Sequence, residues 1–570
     1  MPFRFSPGAL QDLVLTPPEE LTEPASRRFI RTDVAIAGSG PVACAYARII
    51  LDEHPTARVT LIEIGAQDGK ILGGHHKNSV KYQKDIDAFV NVIKGALQPV
   101  SIPPEDSYLP TLGGDAWTTD KKLISYGRNP NQVPNKNLKG FGITRTVGGM
   151  ATHWTSTPHE EEIIRNPINK QDRETLGKEA DKLLGVNPNE YDVSIRHKLV
   201  RETLKDKLEP SSRKDSVVNM PLAVKRRTDN PDYVTWSGAD TILGDLTKYG
   251  KRFQILTETR VTSLERPRIN GPGGPGTGPG TGPDIHGILA RDLHNNSDIY
   301  IKAKAFVVAC GPIGTPQILF NSGIRPHALG RYLCEHSLAF CQIVLKRGLI
   351  DSLPKPPDPE KNPLPIPYND PEPQVQISYS PEFPWHCQVH RDAFSYGDVG
   401  PRVDPRLVVD LRFFGKQESN VDNRVKFGPD NPEKLGDWKA GVTDIYGLPQ
   451  PTFEVTRSVK DQQNDHRMMD DMCKVANLLG AYLPGSYPQF MEPGLAVHIT
   501  GTTRIGKPEH KAESVADSES RVWDFNNLWV GGNGCIPDSI ACNPTKTSVI
   551  IAIKGARALI AHLKEIPAHH

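Results

Sequence analysis

Three small residues near the start of the chain constrain what can be built around them. In the segment TDVAIAGSGPVACAYARIILDEHPTARVTLIEIG, beginning at Thr32, residues Gly38, Gly40 and Ala43 form a GxGxxA pattern. The apolar run over 34–37 predicts a buried strand, residues 43–51 a helix and 59–62 a second strand. This is a β-α-β unit of the dinucleotide-binding kind. Gly38 permits a tight turn, Gly40 lets backbone approach a pyrophosphate, and Ala43 lets the helix pack closely on the sheet. The helix N-terminus then faces the phosphates. Glu63 ends the second strand, where it can accept hydrogen bonds from a ribose diol and repel a 2′-phosphate. The pattern does not by itself separate FAD from NAD.

A chain of 570 residues is too long for one ordinary core, so two or more domains are expected. The longest apolar runs are broken by Gly, Lys or Pro, so no membrane span is expected. Lys and Arg number 68 against 67 Asp and Glu, a balance that argues against a nucleic-acid binder. The eight cysteines form no CxxC pair, so neither a metal site nor a disulfide scaffold is expected. The N-terminal segment has acidic residues and no long apolar stretch, so an intracellular protein is the default, with atypical export left open.

Further strand-like pieces lie at 253–256 and 260–264, and KAFVVACGPIGTPQILFNSG from Lys304 reads as strand, glycine turn and helix. The run GPGGPGTGPGTGPD at 271–284 cannot fill a core and reads as a flexible surface loop; the proline-rich 351–373 reads as a surface excursion. Strand-like pieces recur from 374 to 414, and the chain closes with strand, long turn and helix.

Two sets of residues carry candidate chemistry. The first is TRTVGGMATHWTSTPH, residues 144–159, in which Gly148 and Gly149 allow backbone to lie against a flat ring. His153 in this segment reads as a core histidine, a polar contact or a cofactor attachment point; Thr155 reads as a packing residue or a site residue. The second set is HCQVHRDAFSYGDVG, with Gln388, Asp392, Phe394 and Tyr396, together with Arg412, His498 and Asn543 further on. Polar groups interleaved with aromatics suit a sugar, and equally suit a polar edge hairpin.

With these motifs the chain resembles the glucose-methanol-choline oxidoreductase family, and within it the members that oxidise pyranose sugars. The match runs from Gly38 to the closing helix beyond Asn543. The resemblance implies an FAD-binding, Rossmann-like α/β domain interleaved with an α+β, sheet-containing substrate-binding domain. It divides the chain into an arm (1–28), FAD-domain parts (29–187 and 251–345), substrate-domain parts (188–250 and 346–490) and a closing segment with the catalytic pair (491–570).

It further implies FAD bound covalently through His153 at the flavin 8α-methyl group, with Thr155 near flavin N5. His498 is implied as general base, with Asn543 orienting the reacting hydroxyl. Gln388, Asp392, Phe394, Tyr396 and Arg412 are implied to bind a monosaccharide, the Asp392–Tyr396 stretch closing over it. Gly532, Asn533, Asn543 and Thr545 are implied to lie against the cofactor. The implied reaction takes D-glucose or a close pyranose to the 2-keto sugar and reduces O2 to hydrogen peroxide. A quinone-preferring sugar dehydrogenase and a noncatalytic flavin-binding protein are the alternatives. A homotetramer is implied. Ala496 departs from the family's usual Val two residues before the catalytic histidine, which could widen the pocket and alter C2 against C3 preference.

Overall fold

The computed structural model describes residues 28–104, 128–155, 166–266, 283–356, 358–391, 403–430 and 439–566. The Asp392, Phe394 and Tyr396 loop, nearly all of the glycine-proline run at 271–284 and all but the last residue of the 1–28 arm lie outside them.

The GxGxxA turn leads out of a five-stranded parallel sheet. Its order is Leu528–Val530, Ala305–Val308, Val34–Ala37, Val59–Ile62 and Phe253–Leu256. Four of these strands are buried along their whole length, as expected of a parallel sheet covered on both faces. The helix Pro41–Glu53 follows the Gly38 turn, and the helix Thr545–Glu565 packs against it. Their approach is close at Gly555, where an added Cβ would stand 2.2 Å from Tyr46 Oη and Ser520 Oγ. A four-stranded sheet comprises Arg28–Arg31, Ser297–Lys302, Gly287–Asp292 and Thr259–Glu265.

The other large sheet is antiparallel. Gly480–Tyr482, Ser337–Leu345, Val408–Gly415, Trp385–His390, Gln374–Ile377 and Val217–Asn219 lie in that order, and Gln489–Phe490 also pairs with Ser337–Leu345. Every residue of Trp385–His390 and Val408–Gly415 is buried, yet the two faces differ in kind. Cys387, Val389, Val409, Leu411 and Phe413 share a core with Val200, Leu204, Met468 and Met472 of the helices Ile195–Lys207 and Val459–Leu479. The alternate residues point the other way, because side chains switch sides at each step along a strand. That second face carries His386, Gln388, His390, Asp410, Arg412 and Phe414. Register sets Gln388 opposite Arg412, His390 opposite Asp410 and His386 opposite Phe414.

The apolar side encloses a buried ion pair. Arg213 donates through Nη1 and Nη2 to the two Asp471 oxygens at 2.5 Å each, and Trp385 Nε1 donates to the same carboxylate at 2.7 Å. The architecture is thus an α/β nucleotide-type sheet interleaved with an α+β sheet whose polar face is turned toward it. Among the described residues no helix is long and apolar enough to cross a membrane.

Candidate active site

A cavity of about 300 Å³ runs between the two sheets. Gly38, Gly40 and Glu63 line one end. Gly149, His153, Thr155 and Gly532 line its course, and Gln388, Arg412, His498 and Asn543 line the other end. Asn533, Thr545 and Ala496 also face it.

The nucleotide end has backbone where a phosphate needs it. Gly38 has φ +101°, and a Cβ there would lie 2.4 Å from the Ala309 carbonyl oxygen of the neighbouring strand's end. Close approach of that second strand therefore requires this glycine as much as the turn does. A Cβ on Gly40 would meet nothing within 4 Å, consistent with its place on the cavity wall. Ala43 is fully buried behind it. Glu63 accepts a hydrogen bond from Ser39 Oγ at 2.6 Å and one from the Gly65 N–H at 2.9 Å. Burial pushes its carboxyl up to about 7. Each carboxylate oxygen has more than one lone pair, so acceptor capacity remains for a ribose diol.

The segment from Gly148 to Thr155 is pinned along its length. Gly148 donates its N–H to Ser39 Oγ at 3.0 Å, and at φ +95° it passes so close to Gly73 that a Cβ would lie 2.8 Å from that Cα. The Trp154 carbonyl is held by His75 Nε2 at 2.8 Å, and Trp154 Nε1 donates to the Ser237 carbonyl at 2.8 Å. His153 Nε2 lies 2.7 Å from Thr144 Oγ1. Burial drives the His153 imidazole down to about 4, so it is neutral and keeps a nucleophilic lone pair.

At the far end, Asn543 Nδ2 lies 3.2 Å from His498 Nε2, although 45 residues separate the two. Gln388 Nε2 donates to Asn543 Oδ1 at 2.7 Å. An amide nitrogen only donates, so with Asn543 Nδ2 turned to His498 the ring's Nε2 is the acceptor. Burial, with His336 and His386 alongside, holds His498 well below the usual histidine range, so it is a neutral base. Arg412 Nη1 is 3.2 Å from His390 Nε2, and Arg412 Nη2 is 3.6 Å from Asp410, which burial pushes up to about 6.

Three neighbours of this site escape sequence reasoning. His336 precedes the Ser337–Leu345 strand and has no telling spacing to anything else. Glu335, buried beside it, accepts the backbone N–H groups of His336 at 2.8 Å and His498 at 3.0 Å. His386 stacks on Phe414 at 4.7 Å with the rings nearly parallel. Only His386 left a trace in sequence: in HCQVH it alternates with apolar residues in step with Gln388 and His390.

The same ends of the chain match known proteins. Residues 161–338 and 446–552 match the profiles of the GMC oxidoreductase family. The chain is 53% identical to a pyranose 2-oxidase of Tricholoma matsutake, over 99% of this chain and 100% of that one. The chain belongs to the GMC oxidoreductase family. A pyranose 2-oxidase of Lyophyllum shimeji is 42% identical, over 93% and 92% of the two chains. In fold, the chain is similar to a formate oxidase of Aspergillus oryzae, with a TM-score of 0.59 at 12% identity, covering 95% of this chain and 100% of that one.

For a GMC oxidoreductase the cavity has the right build. A glycine-lined phosphate turn, an acidic residue at the ribose end and a course long enough to reach His498 suit a flavin dinucleotide laid from one sheet to the other. The polar strand face beyond it supplies amide, guanidinium and imidazole groups within one small region.

Proposed function

We propose that this GMC oxidoreductase is an FAD-dependent pyranose oxidase that takes D-glucose and close pyranoses to the 2-keto sugar. The observation that carries the reading is the His498–Asn543 pair, set at 3.2 Å in the cavity that begins at the GxGxxA turn. The strong full-length likeness to a pyranose 2-oxidase supports it. FAD, when bound, supplies the hydride acceptor and returns the electrons to O2 as hydrogen peroxide.

Gly38, Gly40 and the Pro41–Glu53 helix terminus would hold the pyrophosphate, with Glu63 on the ribose. Gly148, Gly149, Gly532, Asn533 and Thr545 would hold the ring system and ribityl chain. His153 would anchor the flavin covalently at its 8α-methyl group, and Thr155 would sit near the reacting edge. His498 accepts the sugar hydroxyl proton at Nε2, and Asn543 donates to the same hydroxyl oxygen through its amide. Gln388 and Arg412 bind other sugar hydroxyls. Asp392, Phe394 and Tyr396 would complete the sugar contacts and help exclude water during transfer. Ala496, smaller than the usual Val, leaves room for a sugar presented through its C3 hydroxyl. The assembly is a homotetramer.

The test is to mix the purified flavoprotein with D-glucose under anaerobic stopped-flow conditions and then admit oxygen. Bleaching of the flavin, followed by recovery with one peroxide per turnover, is the expected result. Bleaching without oxygen recovery would make the protein a quinone-linked sugar dehydrogenase. Flavin left oxidised by every pyranose offered would overturn the reading.

A further inference from the structure

His498 is only half explained by its partner Asn543; its other ring nitrogen faces a second histidine. His336 Nδ1 lies 3.1 Å from His498 Nδ1, with the rings edge to face at 5.0 Å. On its far side His336 Nε2 lies 2.6 Å from the Ile540 carbonyl oxygen. A carbonyl only accepts, so the His336 proton must be on Nε2. Burial drives His336 down to about 4, so the ring is neutral and carries that proton alone. Its Nδ1 is therefore a bare lone pair, and the hydrogen between the two rings belongs to His498 Nδ1.

The other side of the site reaches the same assignment. His386 Nδ1 donates to the carbonyl of Ala541, the residue after Ile540, which leaves His386 Nε2 to accept from Gln388 Nε2 at 3.0 Å. The second hydrogen of that Gln388 amide goes to Asn543 Oδ1 at 2.7 Å. Asn543 then presents Nδ2 to His498 Nε2. Two successive carbonyls of one turn thus set the hydrogen positions of three histidines, one glutamine and one asparagine. Both routes leave His498 with hydrogen on Nδ1 and a lone pair on Nε2, the nitrogen beside Asn543.

We propose that His336 is a positioning residue for the alcohol oxidation: its Nδ1 lone pair holds His498 in the tautomer that can act as base and shares the proton once His498 has accepted it. This rests on the reading of His498 as the base. In the step, the sugar O–H bond breaks and an N–H bond forms at His498 Nε2. The hydride leaves the sugar carbon with the C–H electron pair for the flavin, and the carbonyl forms. The imidazolium left on His498 keeps its Nδ1–H directed at His336 Nδ1, a neutral acceptor already aligned. Without it the charge would sit in a buried pocket with its Nδ1–H unpartnered, and Asn543 alone would oppose the tautomer with hydrogen on Nε2, which cannot accept a proton there.

The experiment compares His336→Leu, His336→Asn and His336→Gln in the flavin-loaded enzyme. Anaerobic flavin reduction by D-glucose gives the rate, and calorimetric binding of 2,3-dideoxy-2,3-difluoro-D-glucose, which lacks both oxidisable hydroxyls, gives affinity without turnover. Asn can place an oxygen near the position of His336 Nδ1, whereas Gln reaches only toward Ile540. His336→Leu is expected to slow reduction about a hundredfold with affinity within about threefold of the parent. His336→Asn should recover to within about tenfold of the parent and be at least about tenfold faster than His336→Gln. If the Leu variant does not hold flavin, the Asn-to-Gln ratio decides. A Leu variant within threefold of the parent, equal rates for Asn and Gln, or an affinity loss matching the rate loss would overturn the proposal. A His498→Ala control separates the two readings: near-parent reduction there would remove the base itself, whereas its loss beside an unaffected His336→Leu would remove only the role of His336.

Discussion

Gln388 and Asn543 are joined by one hydrogen bond, 2.7 Å from amide nitrogen to amide oxygen, and that bond decides which end of Asn543 meets His498. An asparagine amide has two faces of opposite polarity, and nothing in its own shape chooses between them. The choice is made on a strand of the antiparallel sheet and used in a turn at the mouth of the closing helix. Replacing Gln388 with Leu releases the amide. Gln388→Leu is expected to slow anaerobic flavin reduction by about tenfold to a hundredfold, read by stopped-flow absorbance.

His498→Ala removes the proposed proton acceptor while leaving the nucleotide end of the cavity intact. Flavin reduction by D-glucose should fall about a thousandfold with flavin content unchanged, since a positioned base contributes about 10²–10⁴ in rate. Near-normal reduction would exclude the general-base role.

His153→Ala tests attachment. Flavin should stay with the parent polypeptide through denaturation and gel filtration and leave the variant with the small-molecule fraction. Flavin retained by denatured His153→Ala would place the linkage elsewhere.

Glu335 makes stability depend on pH in a specific direction. Burial raises its carboxyl from the usual 4.5 to about 8. Below 4.5 the folded and unfolded chains both hold this proton. Between there and about 8 only the folded chain does, so ionisation favours the unfolded state and stability falls as pH rises. Glu335→Gln keeps a neutral acceptor for the two N–H groups and abolishes that loss. Its Tm should exceed the parent's by about 2 °C or more at pH 8.5 and converge on it toward pH 5, measured by calorimetry.

Asp471→Ala strands the Arg213 guanidinium, which is as buried as its partner. Breaking such a pair costs about 3–5 kcal/mol. Denaturant unfolding should show that loss, while the folded fraction keeps sugar kinetics within about twofold of the parent, because Asp471 lies on the side of the sheet away from the cavity.

The nucleotide sheet was legible because its strands are short apolar runs beside glycine turns, a signal carried locally by residues 34–37, 59–62 and 305–308. The reason for Gly38 was only partly legible, since the Ala309 carbonyl that crowds it comes from a strand far along the chain. The antiparallel sheet was harder to read. Its central strands are buried on both faces, so exposure does not alternate there; only chemistry does, as in His386, Gln388 and His390 set against Cys387 and Val389. His498, Asn543, Gln388 and Arg412 were named from resemblance, and the fold brings them to one end of one cavity. His336 was invisible because its partner is 162 residues away and its effect passes through a ring nitrogen rather than a residue type.

The two-sided sheet has a consequence for how such an enzyme can change. Odd-numbered residues of the 385–390 and 408–415 strands answer to the helices behind them, while the even-numbered Gln388, Arg412 and Phe414 line the cavity. A substitution at Val409 or Leu411 should be felt as melting temperature, and, on the proposed sugar-binding roles, one at Gln388 or Arg412 as choice of substrate. Adjacent codons therefore come under separate selection, and a library confined to Gln388 and its cavity-lining neighbours leaves the helix-packed odd positions untouched.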